Sequence, residues 1–144
     1  MKKYLILFAL PLALLSGCQS APSEEEKKAE LQSQVMTIHD EAMAKMDNIH
    51  KLRRNLRSTR DTLAAQQADS TAILPLEQEL SGLDKADEAM MQWMRQYRAP
   101  DTLQHEQAMQ YLQQELIKIQ QVQTIMDSTI EAAQATITKY EQEK

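Results

Sequence analysis

Helix-breaking residues are scarce in this sequence, and their positions divide the chain into segments. Only two glycines and four prolines occur among 144 residues. Proline removes an amide donor and disfavours helical backbone at the preceding residue, so prolines tend to mark helix boundaries. The apolar residues are mostly Leu, Ile, Ala and Met, with only 4% aromatic residues, a composition that favours helix. The sequence therefore predicts an all-α protein whose segments are divided near Pro22, Pro75 and Pro100.

Apolar residues recur at steps of three and four along three long stretches, which is the pattern of amphipathic helices. Ser23 is a good N-cap for the first helix, since its hydroxyl can accept from an orphan amide. The predicted helices cover residues 24–68, 71–98 and 101–143. The predicted fold is an elongated antiparallel three-helix bundle, long, shorter, long, in one domain over residues 24–144. Ser81-Gly82 is a point at which the middle helix is expected to kink or divide.

The unequal helix lengths predict two overhangs. At roughly 1.5 Å per residue, the three helices would be about 68, 42 and 64 Å long. Residues 24–34, which are polar, are expected to extend beyond the bundle as a stalk. At the opposite end, the last helix would carry an uncovered apolar stripe that suits a protein partner or self-association. The stripe consists of Ile130, Ala133, Ile137 and Tyr140.

The N-terminal segment has the features of a secretory leader. Two lysines precede an apolar run over residues 4–15, which is about 12 residues, whereas a membrane-spanning helix takes roughly 20. The run ends in Leu15-Ser16-Gly17-Cys18, which resembles the lipobox of bacterial lipoproteins. This resemblance implies that residues 1–17 are a removed signal peptide and that Cys18 carries diacylglycerol and an acylated amino group. Residues 18–23 would then form a flexible lipidated tether to the membrane.

The leader also limits what the mature chain can do. Cys18 is the only cysteine, so no intrachain disulfide is available. Loss of Lys2 and Lys3 with the leader moves the formal charge from -5 to -7. Proteins that bind nucleic acid draw their affinity from clustered basic residues. An acidic chain outside the cytoplasm is therefore a poor partner for nucleic acid.

Three further features relate the chain to known lipoproteins. Gln19 is not the aspartate that retains enterobacterial lipoproteins in the inner membrane, so that family rule implies the outer membrane. The acidic run Glu24-Glu25-Glu26 resembles surface-export signals of Bacteroidetes lipoproteins, although a charged first helical turn is the simpler explanation. Around His39-Asp40-Glu41-Ala42-Met43 and Met90-Met91-Gln92-Trp93-Met94 the chain resembles small helical lipoproteins of Bacteroidetes, which bring no assigned activity.

Methionine and histidine recur at positions that the predicted register brings to one level of the bundle. Thioether sulfur and imidazole suit Cu(I), and Trp93 can sit against the ion. The combination is similar to the Met, His and Trp site of a periplasmic copper chaperone, although that family is a β-barrel. The alternative is that these methionines fill gaps in a helical core. The candidate ligands are His39, Met43, Met90, Met94, His105 and Met109.

A basic run precedes Asp61 on the first helix and admits two interpretations. It is formed by Lys51, Arg53, Arg54, Arg57 and Arg60. It indicates either a site for an anionic partner, such as lipopolysaccharide or phospholipid, or ion pairs with acidic residues of the returning helix. Those acidic residues are Glu77, Glu79, Asp84, Asp87 and Glu88.

No catalytic motif is recognisable, so no enzymatic activity is predicted. The leading hypothesis is a non-enzymatic interaction or scaffold lipoprotein of the cell envelope, anchored through the lipid on Cys18. One alternative is a Met/His-rich lipoprotein that binds Cu(I). A second alternative is an envelope stress or chaperone-like helical protein.

Overall fold

The computed structural model describes residues 21–142, and this part of the chain is 86% helical with no strands. Its four helices are α1 Glu24–Met43, α2 Met46–Ala65, α3 Ser70–Gln96 and α4 His105–Gln142. Because α1 and α2 are joined by only two residues, they form one bent rod, and the molecule is a bundle of three rods, long, shorter and long. The predicted all-α fold is confirmed. The leader and residues 18–20 of the tether, Cys18 among them, lie outside the described residues.

The N-termini of α1 and α3 are fixed by side-chain caps. Ser23 Oγ accepts from the Glu26 amide at 3.2 Å, and Glu26 Oε2 accepts from the Ser23 amide at 2.6 Å. This reciprocal capping box begins α1 at the residue that the sequence predicts. Asp69 Oδ1 accepts from the Thr71 amide at 2.8 Å and begins α3. Both carboxylates are thus held by backbone donors at helix starts, where the helix dipole also favours negative charge.

The first predicted helix is wrong in one respect, because it bends at Ala44 and Lys45. Their backbone stays near helical values, with φ -60° and ψ -19° at Ala44. The Lys45 amide, however, donates to Ala42 O at 3.0 Å, one residue short of the α-helical partner. Neither glycine nor proline lies there, so the cause is packing: α1 lies chiefly against α4, whereas α2 lies against both α3 and α4. The rod therefore bends where its buried face changes neighbour.

The core runs along all three rods and fixes their register. Its largest fully buried side chains are Val35, Ile49, Leu56, Leu76, Leu83, Met90, Leu112, Ile119 and Met126. Helix α4 runs parallel to α1 and α2. Lys45 forms an ion pair with Asp127, and Gln123 Nε2 donates to Glu41 Oε2 at 3.1 Å, so partners lie 82 residues apart. By this offset, residue 105 lies level with residue 23, and residue 142 with residue 60.

This register corrects both predicted overhangs. Residues 24–34 are not a free stalk, because Leu31 is buried and α4 accompanies α1 over its whole length. The predicted partner stripe is not uncovered either: Ala133 and Ile137 are buried and Ile130 is half-buried. Tyr140 is half-buried too, and its hydroxyl donates to Ala72 O at the start of α3.

The connection between α3 and α4 explains the error. Residues 97–104 are not a tight turn, since Tyr97 leaves α3 in an extended conformation, with φ -60° and ψ 136°. The loop carries the chain past the end of α3, so the excess length of α4 lies beside α1 and not beyond α2.

Helix α3 is continuous through the predicted weak point. Ser81 and Gly82 lie within it, and Pro75 lies in its second turn. A Cβ atom added at Gly82 would lie 3.1 Å from Thr129 Cγ2 of α4. Gly82 therefore permits close approach of two helices, and the helix is not divided there. Among the described helices, none has a segment apolar and long enough to cross a bilayer.

Candidate functional site

His39 on α1 lies where the bundle holds its only tryptophan. The His39 and Trp93 ring centroids are 5.4 Å apart. His39 Nδ1 lies 2.8 Å from Asp40 Oδ1. A carboxylate on one ring nitrogen favours the tautomer in which that nitrogen carries the proton, so Nε2 is left as a free acceptor or metal ligand. The His39 side chain is 16% exposed, which leaves the ring partly accessible from solvent.

Three predicted sulfur ligands lie within about one helical turn of this pair. Met43 follows His39 by four residues and is half-buried against the core. Met90 precedes Trp93 by three residues and is fully buried. Met94 follows Trp93 directly and is half-buried.

The structure does not bring the remaining two candidate ligands to this level. By the 82-residue offset, His39 lies level with Gln121 of α4. His105 and Met109 precede Gln121 by 16 and 12 residues, which corresponds to about 24 and 18 Å along the helix. The predicted six-residue set is therefore divided into two groups. Within residues 21–142, no three side chains among His, Cys, Asp and Glu are grouped to hold a metal ion; metal binding through methionine sulfur stays a prediction.

An aromatic stack continues from Trp93 toward the end of α3, and sequence reasoning missed it. Trp93 stacks on Tyr97 with ring centroids 4.9 Å apart, and the Tyr97 and Tyr111 centroids are 6.3 Å apart. The Tyr111 hydroxyl accepts from the Arg98 amide at 2.9 Å and closes the loop onto α4. A signal was available, because three of the four aromatic residues after the leader fall between positions 93 and 111.

Beside this stack lies a buried carboxylate. Glu115 is 4% exposed, and Lys118 Nζ donates to its Oε1 at 2.6 Å. That hydrogen bond raises the pKa of Lys118. Burial is the main cause that raises the pKa of Tyr97, and Tyr111 and Glu115 add to it. Within residues 21–142 the buried Tyr97 hydroxyl has no hydrogen-bond partner. The side of α4 that faces α3 is thus more polar than its apolar pattern predicts.

The basic run on α2 is partly neutralised. Arg53 pairs with Asp84 at 2.8 Å and with Asp87 at 3.2 Å on α3, as one of the two interpretations predicts. Arg60 pairs instead with its neighbour Asp61 at 2.7 Å.

The other basic side chains of the run and the other acidic candidates do not pair with each other. Lys51, Arg54 and Arg57 are exposed, with no carboxylate within 4.0 Å in the described part of the chain. On α3, Glu88 pairs with Arg95, and Glu79 accepts from Thr136 Oγ1 at 3.4 Å. A binding role for the unpaired part of the run stays a prediction.

The outward face of α4 carries large apolar side chains in a charge-poor setting. Ile117 is 56% exposed and Ile125 is 44% exposed. They line a shallow groove of about 430 Å³ with Gln120, Gln121 and Thr124. Between Glu106 and Asp127 the only charged residues are Glu115 and Lys118, which pair with each other.

The comparisons with known proteins identify no relative. No family model, no curated protein and no solved structure matches the chain.

Proposed function

We propose that this protein is a lipid-anchored, non-enzymatic interaction protein of the bacterial cell envelope. The lipobox-like sequence Leu15-Ser16-Gly17-Cys18 supports the anchor. Three lipid chains on Cys18 would hold it stably in a membrane, since each buried methylene contributes roughly 0.8 kcal/mol and a single chain binds only marginally. Gln19 after the anchor supports the outer membrane as the location.

The observation that carries the interaction role is the outward face of α4. Ile117 and Ile125 are eight residues apart, so they project to similar sides of the helix about 12 Å apart along its axis. Gln121 lies between them in the groove. A glutamine amide both donates and accepts hydrogen bonds, so this face can meet another helix without leaving a charge buried. The contact surface that we propose is therefore the side of α4 opposite to the stripe that the sequence suggested.

The anchor is tested by replacing Cys18 with Ala and separating membranes from soluble material. We expect the wild-type protein in the membrane fraction and the Cys18→Ala protein in the soluble fraction, or retained as the uncleaved form. Mass spectrometry of the purified wild-type protein should show a triacylated Cys18 at the N-terminus. An unmodified thiol would contradict the anchor.

The contact face is tested by site-specific photocross-linking in cells. A photoreactive residue at Ile117 or Gln121 should give a discrete cross-linked product, and the same residue at the exposed Ser58 of α2 should not. The mass of the product distinguishes a second copy of this chain from a different protein.

A paired substitution supplies the matched energetic test. The double variant Ile117→Asp/Ile125→Asp should keep the wild-type circular dichroism spectrum, because both side chains are exposed. We expect its association to weaken by about tenfold or more, as is usual when apolar contact residues are lost. Equal cross-linking from α4 and Ser58 would contradict the proposed face.

A further inference from the structure

We propose that His39, Met43 and Met90 form a binding site for a soft monovalent metal ion, Cu(I) or Ag(I), with Trp93 against it. This inference is independent of the membrane anchor and of the α4 face. Of the six methionine and histidine residues that the sequence suggests as ligands, these three lie at a similar level of the bundle, on the N-terminal side of the bend between α1 and α2.

Asp40 orients the His39 ring and determines which ring nitrogen is free. Asp40 occupies the Nδ1 side of the ring at 2.8 Å. Histidine ligands in metal sites typically donate the N–H of their second ring nitrogen to a carboxylate in this way, which orients the ring and makes the free nitrogen more basic. The ring reaches into the bundle as far as Trp93, at 5.4 Å between centroids. His39 is thus a pre-oriented nitrogen ligand at the edge of the core.

Helices α1 and α3 meet at the contact of His39 with Trp93. The two helices run antiparallel, and His39 lies opposite Trp93. Four residues further along α1 is Met43, about 6 Å along the axis, and three residues back along α3 is Met90, about 4.5 Å along the axis. Both steps lead toward the bend, so the two methionines lie opposite each other as His39 and Trp93 do. One imidazole and two thioethers are therefore placed within about one helical turn of each other along the bundle axis.

The environment of these side chains suits a soft metal ion. Thioether and imidazole ligands without a carboxylate in the set favour Cu(I) over hard divalent ions. Met90 is fully buried and Trp93 is 5% exposed, so the ion would be shielded from water on the α3 side. The indole face can also stabilise a nearby cation. The half-buried Met43 and the partly exposed His39 offer the ion a route from solvent.

The experiment uses residues 18–144, which contain all four helices, with Cys18→Ala to remove the competing thiol. Silver nitrate in chloride-free buffer serves as an air-stable probe for Cu(I), and the fluorescence of Trp93, the only tryptophan, reports binding. We expect a change in fluorescence that saturates at one equivalent of Ag(I). His39→Gln, Met43→Leu and Met90→Leu should each weaken binding by at least about tenfold, the loss expected when one ligand of a small set is removed.

The matched controls are His105→Gln and Met109→Leu, which carry the same substitutions about 24 and 18 Å away along α4. Neither should change the affinity. Methionine and leucine have similar volumes, so the leucine variants should keep the helical spectrum of the wild-type protein.

A measurement without substitutions covers the case in which a variant fails to fold. With ¹³C-methyl methionine in the wild-type protein, one equivalent of Ag(I) should shift the Met43 and Met90 methyl resonances, while the Met109 resonance stays in place. Absence of saturable binding would overturn the proposal, as would equal shifts for all methionines or equal losses in the control variants. Core packing alone would then explain these residues.

Discussion

Two tyrosines at the end of the aromatic stack differ in how their hydroxyl groups are satisfied. The Tyr97 hydroxyl is buried without a partner in the described region, whereas the Tyr111 hydroxyl accepts from the Arg98 amide. A buried polar atom that loses its water contacts without gaining a protein partner costs free energy, about 1–3 kcal/mol from protein mutational data. The two rings therefore contribute similar packing, but only the Tyr111 hydroxyl gains a hydrogen bond that offsets the cost of its burial.

We expect the loss of these two hydroxyls to have different effects. Tyr97→Phe should leave the free energy of unfolding unchanged or raise it by up to about 1 kcal/mol, while Tyr111→Phe should lower it by about 0.5–1 kcal/mol. Folding raises the pKa of Tyr97, so the neutral hydroxyl is favoured in the native state. As the pH rises above about 10, the unfolded chain therefore loses the Tyr97 proton before the native protein does, and the free energy of unfolding falls.

Urea unfolding at pH 7 and above pH 10, followed by circular dichroism, measures both effects. Tyr97→Phe should lose less stability at the higher pH than the wild-type protein does. Equal costs for the two phenylalanine variants at pH 7 would show that the Tyr97 hydroxyl is satisfied.

A second prediction at the level of single residues concerns the cap of α3. The Thr71 amide donates to the Asp69 carboxylate and lowers the pKa of Asp69. Because the native pKa is lowered, the ionised carboxylate stabilises the fold at pH values above the unfolded pKa. This stabilisation is lost as the pH falls through the native pKa, here below about pH 4. Asp69→Asn keeps an equally good cap that does not titrate.

Thermal unfolding at several pH values distinguishes the contribution of the Asp69 cap to stability from that of its charge. At pH 7, Asp69→Ala should melt below both the wild-type protein and Asp69→Asn. On acidification the wild-type protein should lose stability relative to Asp69→Asn. A constant difference between those two proteins from about pH 7 to pH 3 would contradict the role of the carboxylate.

At the level of the helices, the close approach of α3 and α4 at Gly82 allows the steric fit between two helices to be measured. Alanine in a helix interior is favoured over glycine by about 0.8–1 kcal/mol. The new methyl would meet Thr129 Cγ2 at 3.1 Å, and Thr129 is held because its hydroxyl donates to Ile125 O at 2.7 Å. The gain and the steric cost are therefore expected to offset each other.

We expect Gly82→Ala alone to change the free energy of unfolding by less than about 0.5 kcal/mol. In the Thr129→Ser background, which lacks Cγ2, the same substitution should stabilise by about 0.5–1 kcal/mol. Denaturant unfolding of the four proteins in this cycle gives the coupling. The same effect of Gly82→Ala in both backgrounds would mean that the helices move apart freely.

The bend between α1 and α2 marks the limit of element prediction from this sequence. Spacing of apolar residues and the Ser23 cap indicate where helices form, and both local signals are followed by the structure. The bend at Ala44 and Lys45 has no local signal, since neither residue breaks helices. It arises from contacts with α3 and α4, which exist only in the assembled fold.

At the scale of the whole molecule, the three rods predict an elongated particle. The bent rod of α1 and α2 covers residues 24–65, about 63 Å at the helical rise per residue. A rod of that length and about 10 Å radius has a radius of gyration near 19 Å, whereas a compact domain of this size has about 14 Å. Small-angle X-ray scattering of residues 18–144 with Cys18→Ala should give about 19–20 Å, slightly more with the tether. A value near 14 Å would contradict the arrangement.

The register of α4 could not be derived from the sequence, and this affected the predicted sites. A tight turn at Pro100 places the late stripe, including Ala133 and Ile137, beyond the hairpin. Because the chain leaves α3 in an extended conformation at Tyr97, α4 instead starts at the level of residue 23. That shift buries the stripe and separates His105 from His39. Loop length is readable from sequence, whereas the direction in which a loop leaves a helix depends on contacts such as that of Tyr111 with Arg98.

The parallel course of α4 and the first rod gives the molecule two distinct tips. Residues 23 and 105 lie at one tip, and residues 60–70 and 142 lie toward the other, about 57 Å away. If the first tip is tied to a lipid bilayer and the rods stand upright on it, the second tip lies about 57 Å from the headgroups, more than the thickness of the membrane itself. The protein then acts as a strut, and cargo fused behind Gln142 would be displayed at its distal tip and not at the lipid surface.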